Sequence, residues 1–153
     1  MHLAELTDPE LIFPDISGID GDAILRELAD RLAAAGRVRK PGKLFELLRE
    51  RESLGSTALG QGVAVPHCRI QGVSGVLVAV GLCREGVDFA AEDGEPVRLF
   101  FVVVSSNSAP AEHLHCLAAI SKWVKNGRLC QLMDFDEPQE IYDWIGETTG
   151  EDD

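Results

Sequence analysis

The sequence has little positive charge and few aromatic residues. Its 153 residues contain 14 Lys and Arg against 26 Asp and Glu, a net charge of -12, and only 6% are aromatic. Binding to the phosphate backbone of nucleic acid depends on cationic side chains, so we set direct nucleic-acid binding aside. The acidity leaves two interpretations open: it steers a basic protein partner at long range, or it only keeps the chain soluble.

Long hydrophobic runs are also missing. The longest, Val76–Leu82 and Leu99–Val104, have the length of strands and fall well short of the roughly 20 residues that cross a bilayer. The N-terminus has neither the basic region nor the apolar region of a secretory signal. We therefore expect a cytoplasmic chain without direct membrane insertion.

The cysteines show no paired spacing, and several common catalytic motifs are absent. Cys68, Cys83, Cys116 and Cys130 form no CxxC pair and no zinc-finger pattern, so in a reducing cytosol we expect free thiols. The sequence contains no P-loop and no G-x-S-x-G nucleophile motif. One metal alternative stays open, because zinc accepts His and Cys ligands and the chain has His67, His113, Cys68 and Cys116.

What is present indicates one α/β domain over residues 1–153, with a core of about 3–146 and a frayed tail of 147–153. Apolar periodicity and capping residues predict helices over about 20–36, 41–52, 111–125 and from 137 onward, with a helical turn or two over 128–133. Short or continuous apolar runs predict strands at about 11–13, 63–65, 75–83 and 97–104, with a loop over 84–96. Because the strands are apolar throughout and alternate with helices, we expect a sheet covered by helices on both faces.

Three histidines are candidates for chemistry. His67 follows the short strand 63–65 and Pro66, and the ends of strands are where open α/β sheets place ligands. The alternative is a surface histidine in a turn. His113 and His115 lie near the start of a helix, where free N–H groups attract anions, but residues two positions apart face different sides. The alternative there is two ordinary polar residues in a first turn.

Two stretches resemble a known family. The run Leu48–His67 contains an Arg-Glu pair, a Gly/Ser/Thr-rich loop and a small-apolar strand that ends in Pro-His. It resembles the signature of the fructose/mannitol/nitrogen-type enzyme IIA of the bacterial phosphotransferase system (PTS EIIA type 2). The run Glu112–Leu117 is similar to the family's histidine at the start of a helix. The resemblance extends over about residues 21–145 and implies a mixed, roughly five-stranded sheet with helices on both faces.

The resemblance also implies roles for individual residues. His67 corresponds to the phosphorylated histidine, His113 to the second active-site histidine, and Arg51 to the active-site arginine of mannitol-type members. His115 corresponds to an extra histidine of nitrogen-type members. We expect His67 to act as the nucleophile, while His113 donates a hydrogen bond to the phosphoryl oxygens and Arg51 supplies positive charge. Backbone N–H groups over 56–62 are expected to help cradle the phosphate.

One position departs from the family pattern. Cys68 stands where family members commonly have glycine after the phosphohistidine. Either the backbone there has a negative φ that any residue adopts, which we favour, or Cys68 is strained into a region that glycine prefers. A third interpretation is a reactive thiol whose pKa is lowered by Arg51 and Arg69.

The function implied by the resemblance is that of a phosphohistidine carrier, a phosphotransferase component rather than a stand-alone enzyme. No cofactor, metal or nucleotide is required. The expected donor is an HPr-like phosphocarrier, and the expected acceptor is a IIB domain or a regulated protein partner. A free-standing chain with the His-Leu-His arrangement favours the nitrogen-regulatory type. The alternatives are a sugar-specific IIA for fructose- or mannitol-type uptake and a degenerate binding module without phosphotransfer.

Overall fold

The structure is a computed structural model that describes residues 2–152. Its strands are β1 (Ile12–Phe13), β2 (Ala58–Gly60), β3 (Val63–Ala64), β4 (His67–Arg69), β5 (Val76–Val87) and β6 (Val97–Ser105). Its helices are α1 (Gly21–Ala34), α2 (Pro41–Ser53), α3 (Pro110–Lys125), α4 (Leu129–Leu132) and α5 (Pro138–Asp152). Two 3-10 turns, Leu3–Leu6 and Pro9–Leu11, precede β1. In the described part of the chain, no helix is long and apolar enough to cross a membrane.

The strands form one mixed sheet of six strands, in the order β1-β5-β6-β3-β2, with β4 also paired to β6. β5 and β6 are antiparallel, whereas β1, β3 and β4 run parallel to their central neighbours. Strands β3 and β4 pair one after the other with the same edge of β6, and Val65 and Pro66 separate them in the sequence. Pro66 has no N–H to donate to the ladder, although its carbonyl accepts from the N–H of Val103 at 2.9 Å. His67 is the first residue after this break.

Alternate residues of the two long strands face two separate cores. In β6, Phe100, Val102 and Val104 pack on the face that α1 and α2 cover. Phe101 and Val103 lie on the opposite face with residues of α3 and α5. Side chains of a strand alternate between its two faces, so a continuous apolar run is what a strand buried on both sides needs. The predicted fold class, a mixed α/β domain with helices on both faces of the sheet, is therefore confirmed.

Several details differ from the predictions. The sheet has six strands rather than about five, and β2 and β4 lie where no strand was expected. The loop predicted over 84–96 begins only after Val87, because β5 continues past Leu82 with an irregular register. Gly86 has φ +76° within this irregularity, a conformation that costs glycine little and other residues more.

The C-terminal tail is more ordered than expected. α5 extends to Asp152, and Thr148 and Thr149 are buried. The indole N–H of Trp123, a fully buried residue of α3, donates to the hydroxyl oxygen of Thr148 at 2.7 Å. The prediction that fraying begins at Glu147 is therefore wrong for Thr148 and Thr149, because this contact between α3 and α5 holds the helix in place.

Candidate active site

Four elements meet around His67. Arg51 lies in the last turn of α2, His67 begins β4, and His113 lies in the first turn of α3, directly after the loop that leaves β6. The ring centroids of His67 and His113 are 5.5 Å apart, with the rings inclined at 64°. Arg51 Nε lies 3.3 Å from His67 Nε2. The structure thus brings together the three predicted site residues, although Arg51 and His113 are far apart in the sequence.

The two ring nitrogens of His67 have different partners. Nδ1 lies 2.8 Å from the carbonyl oxygen of Val65, which can only accept, so Nδ1 carries the ring proton. Arg51 Nε can only donate, so the Nε2 that it faces holds a lone pair. Both contacts favour the same neutral tautomer. The nitrogen available for bond formation is therefore Nε2.

The surroundings of His67 keep its ring neutral. Burial is the main cause that lowers the pKa of His67, and the positive charges of Arg51 and Arg69 act in the same direction. The hydrogen bond to Val65 and the carboxylate of Glu52 oppose this shift without cancelling it. Since the ordinary pKa of histidine is about 6.5, a lowered pKa leaves the nucleophilic form dominant at neutral pH.

Arg51 places a permanent positive charge next to the nucleophilic nitrogen. Its side chain is held at a second point, because Nη1 donates to the carbonyl oxygen of Gly55 at 2.8 Å. The planar fork of donors of a guanidinium group suits phosphate oxygens. The end of α2 is therefore equipped to bind an anion at Nε2 of His67.

The structure distinguishes the two histidines of α3. His113 is buried, with 4% of its surface exposed, and its Nδ1 lies 2.6 Å from the hydroxyl oxygen of Ser105. Burial, followed by the nearby charges of His67 and Arg69, lowers the pKa of His113. His115 is exposed, on a different side of the helix. His113 is therefore the histidine that shares the site with His67, whereas its role there stays a prediction.

Three backbone N–H groups of the Gly-rich loop already have partners within the protein, and a phosphate cradle formed by the rest of 56–62 stays a prediction. The N–H of Thr57 already donates to the carboxylate of Glu52, which also accepts from the Thr57 hydroxyl. The N–H of Ala58 donates to Ser56, and that of Gln61 donates to Asp93. These donors hold the loop in place.

Two of the three interpretations of Cys68 are wrong. Among residues 2–152, positive φ at non-glycine positions occurs only at Gln61 and Ala90, so Cys68 adopts an ordinary strand conformation in β4. Burial raises the pKa of the Cys68 thiol to about 12, which is opposite to the lowered pKa that a thiolate activated by Arg51 and Arg69 requires. The side chain packs against the core on the α1–α2 side of the sheet. Cys68 is thus a partly buried residue in an unstrained strand conformation.

The zinc alternative finds no support in the geometry. Across the described range, no group of three or more His, Cys, Asp or Glu side chains is placed to hold a metal ion. Cys68 packs with one core, whereas Cys116 is buried in the other, on the opposite side of the sheet.

Sequence reasoning missed two partners of the site residues. The side chain of Ser105 forms a hydrogen bond with His113. The carboxylate of Glu52 accepts a hydrogen bond from the backbone N–H of Thr57, in the loop that follows Arg51. Glu52 stands next to Arg51 in the sequence, in the Arg-Glu pair, and this adjacency was a usable signal. Ser105 gave no such signal, because a serine at the end of an apolar run usually marks only the start of a loop.

Comparison with known proteins identifies the family of the chain. A family model described as "Phosphoenolpyruvate-dependent sugar phosphotransferase system, EIIA 2" matches residues 5–148, and the chain belongs to this family. The chain is 33% identical over 126 residues to a nitrogen regulatory protein of Bradyrhizobium diazoefficiens, and the aligned region covers 82% of each chain. It is 28% identical over 148 residues to the fructose-specific EIIABC component of Bacillus subtilis, covering 96% of this chain but only 23% of that longer protein.

Solved structures show the same fold. The crystal structure of the nitrogen regulatory protein IIA-Ntr from Neisseria meningitidis superposes with a TM-score of 0.85 at 32% identity, over 94% of this chain and 98% of that one. The Escherichia coli mannitol enzyme IIA, solved in complex with its phosphorylated enzyme IIB, superposes with a TM-score of 0.74 at 22% identity, over 93% and 99%. The family therefore includes both nitrogen-regulatory and sugar-specific relatives of this chain.

Proposed function

We propose that this protein is a phosphocarrier of the nitrogen-regulatory type, which accepts a phosphoryl group on Nε2 of His67 from an HPr-like donor. It then signals through that phosphate or passes it on. The observation that carries the proposal is the state of His67: its ring is neutral, its proton is committed to the carbonyl of Val65, and its lone pair lies beside Arg51. Membership of the EIIA type 2 family supports it.

The transfer step follows from this geometry. The lone pair of His67 Nε2 forms the new N–P bond while the bond from phosphorus to the donor atom breaks, and that atom keeps the electron pair. The Nδ1 proton stays on the ring and remains hydrogen-bonded to Val65, which stabilises the positive charge that the ring gains. Phosphoryl transfer depends mainly on alignment and on stabilising the equatorial oxygens, and Arg51 and His113 are placed to supply charge and a hydrogen bond.

The surface next to the site suits a protein donor better than a small molecule. Leu54 follows the end of α2, three positions after Arg51, and 82% of its surface is exposed. Leu114, adjacent to His113, is 62% exposed. We take these two exposed apolar side chains, each close in sequence to a site residue, as support for a protein donor. The net charge of -12 would attract a basic partner over a longer range.

Two kinds of relative support two kinds of acceptor. The chain is 33% identical to the nitrogen regulatory relative and 28% identical to the fructose-specific one, and His115 follows His113 as in nitrogen-type members. This favours a regulatory role, in which the acceptor or target is a protein partner. The fructose-specific relative supports the second candidate, a sugar-type IIA that passes phosphate to a IIB domain. Transfer from the phosphorylated protein to a purified fructose-type IIB would favour the second candidate.

The proposal is tested by phosphorylation in vitro. The protein is incubated with a purified, phosphorylated HPr-like donor, and uptake is followed by intact mass and by the acid lability expected of a phosphohistidine. We expect one phosphoryl group on the wild type, none on His67→Ala, and continued uptake by the control His115→Ala, because His115 is exposed whereas His113 is buried. Uptake by His67→Ala at the wild-type rate would refute the assignment, and no uptake by any form would favour a binding module without phosphotransfer.

A further inference from the structure

A buried hydroxyl contacts the second histidine of the site. Ser105 is the last residue of β6 and is fully buried. Its Oγ lies 2.6 Å from Nδ1 of His113, eight positions further along the chain. The backbone carbonyl of Ser105 is separately engaged, since it accepts from the N–H of Ile70 at 3.0 Å. The contact between the serine and histidine side chains therefore crosses the loop that joins β6 to α3.

The burial of this pair decides the direction of the hydrogen bond. A buried hydroxyl proton needs an acceptor, because it has no water to donate to. Within the described chain, the side chain of Ser105 has His113 Nδ1 as its hydrogen-bond partner and no other. The hydroxyl therefore donates to Nδ1, which must hold a lone pair. The proton of the neutral imidazole is then on Nε2.

From this we infer that Ser105 is a positioning residue that fixes His113 in its Nε2–H tautomer, so that His113 presents a donor to the phosphoryl group. The opposite tautomer would present a lone pair, which would repel phosphoryl oxygens. The two rings of the site thus have opposite tautomers. His67 is held with its proton on Nδ1 by Val65, and His113 with its proton on Nε2 by Ser105. One ring is set up as a nucleophile and the other as a hydrogen-bond donor.

The assignment of a tautomer can be measured without phosphorylation. Long-range 1H–15N correlation spectra of the histidine rings, recorded at a pH where the rings are neutral, distinguish a protonated nitrogen from one with a lone pair. In the wild type we expect Nε2–H for His113 and Nδ1–H for His67. An Nδ1–H pattern for His113 in the wild type would overturn the inference directly, with no mutation involved.

Variants then test whether Ser105 causes the tautomer. Ser105→Ala should give His113 a mixture of tautomers, Ser105→Thr should restore the single Nε2–H form because it keeps the hydroxyl, and His67 should be unchanged in both. Ser106→Ala is the matched control, since its hydroxyl forms a hydrogen bond with the nearby Ser108 on an exposed loop. An unchanged His113 tautomer in Ser105→Ala, in a variant whose circular dichroism shows that it is folded, would contradict the inference.

The link to transfer rests on the proposed function and is tested by a double-mutant cycle. Ser105→Ala should slow phosphoryl uptake by up to the ~10²-fold that the loss of one stabilising donor causes. In a His113→Ala background it should cause no further slowing, because Ser105 acts through His113. Equal slowing in both backgrounds would identify a merely structural role. If no form takes up phosphate, the proposed function fails, whereas the wild-type spectra still decide the inference about the tautomer.

Discussion

Replacing Cys68 by glycine tests how the backbone beside His67 is held. Cys68 has an ordinary strand conformation in β4, and its side chain packs against the core on the α1–α2 side. Glycine would therefore relieve no strain at this position. It would instead remove buried contacts and increase the conformational freedom of the unfolded chain. We expect Cys68→Gly to lower the free energy of unfolding.

The size of the effect follows from two contributions. Glycine within a strand costs roughly 0.5–1 kcal/mol relative to alanine. Loss of the partly buried sulfur costs up to about 0.8 kcal/mol, if sulfur is treated as one methylene-sized group. The sum is about 1.5 kcal/mol, and since 1 kcal/mol corresponds to about 2–4 °C in a domain of this size, the melting temperature should fall by roughly 3–6 °C.

The assay is thermal unfolding under reducing conditions, followed by circular dichroism. Cys68→Ala is the matched control: it loses the sulfur and keeps the β-carbon, so it should show about half of the destabilisation. A Cys68→Gly variant that melts at or above the wild-type temperature would refute the reasoning. It would mean that the backbone at residue 68 is under strain that glycine relieves.

Further predictions concern the histidines and the last helix. His113→Ala should take up phosphate about 10²-fold more slowly, whereas His115→Ala should stay near the wild-type rate; the reverse order would exchange their roles. An NMR titration of His67 should give a pKa below the usual value of about 6.5, because burial disfavours the charged ring. As the pH falls, the His67 ring of the unfolded chain, which has the ordinary pKa, is protonated before that of the folded chain. The free energy of unfolding should therefore decrease as the pH falls from about 6.5 through the lowered pKa of His67, and a titration midpoint at or above 6.5 would contradict this. Thr148→Val should cost about 1–3 kcal/mol in chemical denaturation, because it leaves the buried indole N–H of Trp123 without its partner; an unchanged midpoint would show that the bond contributes nothing.

The sequence predicted the central elements well because their signals are local. Strands β5 and β6 are continuous apolar runs, and the helices carry apolar stripes with recognisable ends. Strands β2 and β4 have three residues each and contain glycine or charged residues, so no pattern of their own marks them. Both form because the neighbouring strands offer unpaired backbone groups at the right position. Tertiary context decides such short strands more than propensity does.

The same distinction explains the errors in the site and the tail. The positions of Arg51, His67 and His113 followed from a resemblance to known motifs, which carries three-dimensional information. The bond from Ser105 to His113 depends on how one loop turns, and the bond from Trp123 to Thr148 joins residues 25 positions apart. The Thr-Thr-Gly segment has low helix propensity, so only the packing of α5 could reveal that the helix continues there.

The packing of α5 also brings the two ends of the chain together. The hydroxyl of Tyr142 donates to the carbonyl of Ala4 at 3.0 Å, and a β-carbon placed on Gly146 would lie 3.4 Å from the Ala4 β-carbon. A unit whose entry and exit points are adjacent can be joined into a longer polypeptide without rearranging its sheet. The architecture is thus modular. The same fold can form a separate chain or one section of a longer protein, as the length of the fructose-specific EIIABC component illustrates.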